Sequence, residues 1–163
     1  MDAITALRTR RSIRRYKNRP VSREVLETIV DCGRLAATGR NEQPWEFVVV
    51  TDASTRGKLA ELCEFGKFLA QAPAAIVVLC RESKYYLEDG SNATQNILVA
   101  ASALGLGSCW VAGDKKPYAE QVRRLVSAPD GCKLIATIAI GYPDEKPAPP
   151  KRALDEVIHW ETF

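Results

Sequence analysis

"RRSIRRYKNRP", Arg10 to Pro20, is the stretch on which the reading of this chain turns. From Arg8 to Arg19 there are seven basic residues (Arg8, Arg10, Arg11, Arg14, Arg15, Lys17, Arg19) and no acidic one. The whole chain carries 23 basic and 20 acidic residues, so outside this stretch acids outnumber bases by 20 to 16. The positive charge is therefore local. A protein that coats nucleic acid spreads its basic residues over a face and runs to a pI above ~9, whereas this one sits near 8.6. A small anionic ligand suits the numbers better. In an extended segment Arg10, Ser12 and Arg14 alternate and point to one side. Two guanidinium forks and a hydroxyl suit a phosphate monoester, since arginine gives paired, charge-assisted hydrogen bonds. A solvated basic loop or a nucleic-acid arm has the same composition.

Working outward, 163 residues make one domain with a substantial core. The five cysteines (Cys32, Cys63, Cys80, Cys109, Cys132) form no C-x-x-C pair and are odd in number, which predicts a reducing compartment. The longest apolar stretch, "APAAIVVLC" at 72–80, is far short of the ~20 residues of a membrane helix, and no apolar leader follows Met1. The expectation is a cytoplasmic, soluble protein with no membrane and no nucleic-acid partner. A single histidine, His159 in "VIHWE", leaves little room for hydrolytic triads, and no metal site is expected. Neither G-x-G-x-x-G after a strand nor G-x-x-x-x-G-K-[ST] occurs. The chemistry is then expected to reside in a bound cofactor.

The spacing of Val25, Leu26, Ile29, Val30, Gly33 and Leu35 predicts a helix from Ser22 to Ala37, N-capped by Ser22 and closed by Gly39. "EFVVVT" (46–51), "AAIVVLC" (74–80) and "KLIATIAIGY" (133–142) read as strands, and Ser108 to Val111 as a short extended piece. A helix follows Asp52. A small-residue helix over 88–106, with Ala93, Ile97, Ala100, Ala101 and Leu104 on one stripe, is expected to pack closely on another helix. Tyr118 to Ser127 reads as a surface helix. Four prolines between 143 and 150 predict an extended tail, yet its end carries Val157, Ile158, Trp160 and Phe163. Such a tail should dock, on its own domain or on a partner.

Two further stretches could hold a ligand. In "AATGRNEQPWEFVVV" (36–50), Asn41 and Gln43 are turn amides able to meet a planar heterocycle, although each also serves as a turn cap. In "GLGSCWVAG" (105–113), glycines permit close backbone approach.

Taken in order, R-R-S-x-R-x-[YF] at Arg10–Tyr16, N-x-Q-P-W at Asn41–Trp45, G-L-G-[ST]-C-W at Gly105–Trp110, the strand ending "AIGYPDEKP", and Lys151-Arg152 before "EVIHW" resemble the short FMN-dependent nitroreductases over nearly the whole chain. The resemblance implies an α+β fold, a mostly antiparallel central sheet flanked by helices in three layers. It further implies an intertwined homodimer with FMN at the interface and residues 143–163 as an arm docking on the partner subunit. Carried over, Arg10, Ser12 and Arg152 hold the FMN phosphate with Arg11 nearby, and Arg14 lies beside the flavin pyrimidine. Thr38, Gly39 and Asn41 are the turn lent by the second subunit, Thr38 offering its hydroxyl, and Gln43 contacts the flavin or orients that turn. Backbone N–H groups of Ala112 and Gly113 face flavin N5; Lys67 is a further candidate contact. The implied activity is an NADH- or NADPH-dependent, ping-pong reduction of nitroaromatics, quinones or similar small-molecule acceptors. A non-enzymatic or partner-fed FMN redox module is the alternative, and with only a short 81–92 connection the chain lacks the helical excursion that shapes the pocket in larger relatives.

Overall fold

A computed structural model describes residues 1–163. Nine elements carry the fold: α1 (Ala3–Thr9), α2 (Arg23–Arg34), β1 (Trp45–Val50), α3 (Ala53–Leu62), β2 (Ala74–Cys80), α4 (Tyr86–Ala103), β3 (Gly107–Ala112), α5 (Ala119–Leu125) and β4 (Lys133–Gly141). The strands form one antiparallel sheet in the order β1-β2-β4-β3.

Central β2 explains why its sequence is an unbroken apolar run. Every residue from Ala74 to Cys80 is fully buried. Ala74, Ile76, Val78 and Cys80 pack with α2 and α4, while Ala75, Val77 and Leu79 face the core built with α3 and α5. Antiparallel sheets commonly leave one face to solvent; here helices cover both, giving the three-layer α+β architecture.

Local signals set the helix starts. Ser22 accepts the Val25 N–H at α2, and Asp52 accepts the Thr55 N–H at α3. Helix α2 ends at Arg34, short of Ala37, and Gly39 does not close it but opens a separate 3-10 turn, Gly39–Asn41. The reason is tertiary: Thr38 and Gly39 are held by Asp89 of α4. Between α2 and α4, a Cβ at Gly33 would lie 2.8 Å from Ile97 Cγ1, so the expected close helix contact depends on that glycine. Leu104 does not join the buried stripe; it follows the last turn of α4 and is half exposed. Helix α5 is shorter than expected and not purely superficial, since Val122 is buried and Arg123 is clamped by Glu120 and Asp130.

After Pro143 the chain runs without regular structure to a 3-10 turn at Leu154–Glu156. All of residues 151–163 are exposed, including Leu154, Val157, Trp160 and Phe163. Docking of the tail on its own domain is thereby corrected. No helix is long and apolar enough to cross a membrane.

Candidate functional site

The basic stretch is strapped onto the free edge of β3. Ile13 N–H donates to the Ser108 carbonyl at 3.0 Å, Lys17 N–H to the Tyr142 carbonyl at 2.9 Å, and Asp144 N–H to the Arg15 carbonyl at 3.0 Å. Ile13 and buried Tyr16 are its anchors, the Tyr16 hydroxyl donating to the Ile13 carbonyl at 2.5 Å. Burial pushes the Tyr16 phenol far above its ordinary value. Gly107 lets the strap lie this close, because a Cβ there would sit 2.7 Å from Ile13 Cγ1. One Glu145 carboxylate oxygen accepts the N–H groups of Arg14, at 2.5 Å, and Arg15, at 3.1 Å.

The strap alternates up to Ile13 and breaks the pattern beyond it, where the next anchor, Tyr16, comes three residues on; Arg10 and Arg14 line different clefts. Arg10 and Arg11 line a cleft of about 260 Å³ with Gly107, Ser108, Glu145 and Lys146. Arg14 lines a second cleft, about 540 Å³, with Lys67, Phe68, Trp110, Ala112 and Lys116. Ser12 is half-buried between them, bridged to Ser108.

The first cleft suits an anion. Arg11 Nη1 bonds the carbonyls of Arg8 and Arg10 at 3.0 and 2.8 Å, which fastens it to the strap while its charge stays at the cleft. Ser108 Oγ and Arg11 Nε are buried without a hydrogen-bond partner. Orphaned polar atoms of this kind cost free energy until something meets them. A phosphate monoester, with acceptor oxygens on every side, fits the cations Arg10, Arg11 and Lys146 that line this cleft.

The second cleft has an open strand edge. Gly113 N–H donates to the Ile135 carbonyl at 3.0 Å, so Gly113 cannot offer its N–H to a ligand as expected. In an antiparallel pair the next residue then points its backbone groups the other way. Exposed Ala112 therefore turns its N–H outward from β4, while its carbonyl accepts the Tyr118 hydroxyl. Arg14 stands at the end of this edge, its guanidinium carbon 5.9 Å from the Phe68 ring centre.

The Asn41 turn is built elsewhere. Thr38 donates its hydroxyl to Asp89 Oδ2 at 2.8 Å and accepts the Gln43 N–H at 3.1 Å, so that hydroxyl is already committed within the turn. Gly39 N–H donates to Asp89 Oδ1 at 2.9 Å. Arg40, Asn41 and Gln43 all have positive φ, and the Gln43 amide donates to the Asn41 carbonyl at 3.4 Å. Asp89 sits in the first turn of α4, whereas Ser102, beside the first cleft, is in its last. Thirteen residues of helix separate them, roughly 20 Å, so one chain does not unite the turn with the arginines. Nor does it bring in Arg152, whose guanidinium bonds the Glu156 carbonyl within the tail.

Asp89, Glu145 and Lys146 escaped the sequence reading. Asp89 left a trace, an acid four residues before Ala93 on the buried stripe of a small-residue helix. "PDEKP" carried no such periodic signal.

Comparison with known proteins gives these features a context. The nitroreductase family profile matches residues 7–90 and 64–142. A Methanothermobacter thermautotrophicus protein described as an NADH dehydrogenase/NAD(P)H nitroreductase is 36% identical over 169 residues, covering 100% of this chain and 88% of that protein. The FMN-dependent nitroreductase of Clostridium difficile superposes with a TM-score of 0.92 at 32% identity, covering 98% of this chain and 99% of that one. A nitroreductase of Desulfovibrio desulfuricans, solved in complex with FMN, gives 0.88 at 30% identity, covering 100% and 98%. With this extent of sequence and fold in common, the chain belongs to the nitroreductase family.

Proposed function

We propose that this chain is an FMN-dependent oxidoreductase that uses NADH or NADPH to reduce nitroaromatic, quinone or similar electrophilic acceptors by a ping-pong cycle. The observation that carries the reading is the edge of β3. Four residue steps along the strand take Ser108 to Ala112, about 13 Å at ~3.3 Å per residue, with an anion-suited cleft at one end and a partly aromatic cleft at the other. That separation suits the phosphate and ring of one extended cofactor.

Arg10, Ser12 and Arg11 hold the phosphate in this reading, with Lys146 beside them and Arg152 reaching in from the tail. Arg14 places a fixed positive charge at the ring cleft, which favours negative charge developing there. Glu145 keeps Arg14 in place by binding its backbone. The outward Ala112 N–H offers one hydrogen bond at the strand edge. FMN bound there would supply two-electron redox chemistry, accepting a hydride (one proton with two electrons) from the nicotinamide and returning two electrons to the acceptor, with the remaining protons drawn from solvent.

The turn of Thr38, Gly39, Asn41 and Gln43 completes the site from a second copy of the chain. A two-fold pairing that sets α4 against its symmetry mate brings the turn of each subunit to the arginine edge of the other. Residues 143–163 act as the arm between subunits. Extended at ~3.1 Å per residue the arm reaches about 60 Å, and the groove of about 740 Å³ between α2 and the free edge of β1, floored by Val21, Leu26, Val30 and Val49, has apolar side chains to receive it.

The visible spectrum of the purified protein, before and after anaerobic NADH and then NADPH, tests the reading. Flavin bands that bleach with either nicotinamide support it. Persistent flavin bands sink the reductase activity while keeping the cofactor, and a colourless protein that FMN cannot reconstitute sinks both.

A further inference from the structure

The short 81–92 connection leaves open what walls the substrate side of the second cleft. The structure places another segment there, the connection between α3 and β2. Cys63–Gly66 is a tight turn, Gly66 N–H bonding the Cys63 carbonyl at 2.9 Å. A Cβ on Gly66 would sit 2.7 Å from Cys63 Cβ, so the turn requires that glycine. Between them Phe65 stands 72% exposed, an expensive position for a phenyl ring unless something stacks on it. Phe65, Lys67 and Phe68 line the cleft together with Trp110 and Lys116 of the opposite wall.

Charge in this wall is unbalanced. Glu64 is its single carboxylate, against Lys67, Lys116 and Arg14. Lys67 Nζ has one long bond, 3.5 Å to the Glu61 carbonyl. Lys116 is half-buried and pairs with no carboxylate; its neighbour Lys115, not Lys116, faces Asp114 at 4.0 Å. Half-buried Lys116, paired with no carboxylate, and exposed Lys67 beside it form a receptor for a ligand anion at this aromatic cleft.

Resting on the flavoenzyme reading above, we propose that Phe65, Lys67 and Lys116 determine acceptor specificity, selecting planar aromatic acceptors that carry an anionic substituent, a carboxylate or phosphate. Phe65 stacks on the ring. The two lysines bind the anion and set which end of the acceptor enters.

The test compares 4-nitrobenzoate with its neutral isostere 4-nitrobenzamide on the FMN-loaded protein, in the wild type, Lys67→Gln/Lys116→Gln and Phe65→Ala. In kcat/KM the wild type prefers the benzoate, and the double lysine variant lowers the benzoate-to-benzamide ratio by about tenfold, the scale of a charge-assisted contact. Phe65→Ala weakens both acceptors and leaves the ratio. Calorimetric titration of the oxidised holoprotein with each compound, no nicotinamide present, reads the same preference as binding. An equal preference for both compounds in the wild type, a lysine effect shared by both, or a lysine effect confined to the KM of NADH or NADPH overturns the proposal. Absence of nicotinamide oxidation with either compound counts against the reductase reading alone, because the binding isotherms still decide this one.

Discussion

Asp89 holds Thr38: the carboxylate takes the Thr38 hydroxyl at 2.8 Å and the Gly39 N–H at 2.9 Å, across fifty residues of chain. Asp89 itself is 3% exposed. It therefore fixes the one turn of the candidate site whose backbone carries three positive-φ side-chain residues, Arg40, Asn41 and Gln43. Left alone, such a turn would relax, since each of these conformations costs about 1 kcal/mol or more.

Asp89→Ala leaves a part-buried hydroxyl and N–H without their acceptor. The expected loss is about 2–4 kcal/mol of unfolding free energy, read by urea denaturation, together with weaker FMN binding because the turn no longer presents a fixed surface. Asp89→Asn keeps one acceptor oxygen and loses less. Wild-type stability in Asp89→Ala would show that the turn is held by other contacts.

Gly107 and Ile13 form a steric pair. Gly107→Ala forces Ile13 off β3 and costs about 1–3 kcal/mol, with a parallel loss of FMN affinity as the strap and its arginines shift. Adding Ile13→Ala removes Cγ1 and Cγ2, two of the three Ile13 atoms that the new methyl group meets. A double-mutant cycle then gives a favourable coupling; strict additivity would mean that the strap tolerates the methyl without moving.

Arg10→Ala should weaken FMN by about 2–3 kcal/mol, the scale of one charge-assisted hydrogen bond. Fluorescence titration of the apoprotein with FMN and with riboflavin separates the causes. Only FMN affinity falls if Arg10 meets the phosphate; equal losses place it at the ring.

Much of this was legible from residues near each other in sequence. The β2 run announced a strand, and Ser22 and Asp52 announced helix starts. What escaped were relationships set by tertiary distance. Helix α2 ends at Arg34 because Asp89, far along the chain, holds Thr38 and Gly39. The strap abandons alternation because Ile13 and Tyr16, three apart, are the residues that find the core. Gly113 spends its N–H on Ile135, a matter of register that no local pattern encodes.

The buried thiols report on the same core. Burial raises Cys63 to about 11 and Cys80 to about 12, from the ordinary 9.0. Their contribution to stability is fully present below pH ~9, where both states hold the proton, and is lost as pH rises toward the folded-state values, because the unfolded chain ionises first. Thermal unfolding should therefore drop in midpoint above pH 9, and Cys63→Ala/Cys80→Ala should flatten part of that drop. Under native conditions at pH 8 a thiol reagent should label half-buried Cys32 and Cys132 ahead of Cys63, Cys80 and Cys109. Rapid labelling of Cys80 would place it outside the core.

Truncation before Pro147 tests the arm. The deleted residues include Leu154, Val157, Ile158, Trp160 and Phe163, none of them packed on the chain that carries them. Their removal takes nothing from either buried cluster, so a free monomer should keep its fold and its unfolding free energy. In a dimer the same residues leave the α2–β1 groove uncovered and remove Arg152 from reach of the phosphate. The truncated chain is expected to fall to monomer or to aggregate in sedimentation velocity, and to lose FMN on gel filtration. In the proposed dimer the outcomes are linked, because there the Thr38–Gln43 turn comes to the arginine edge from the second copy. Arg152→Ala in the full-length chain separates them: it weakens FMN while the dimer persists. A truncated protein that stays a yellow dimer would assign the interface to α4 without the arm, and a yellow monomer would mean that one chain suffices to hold the flavin.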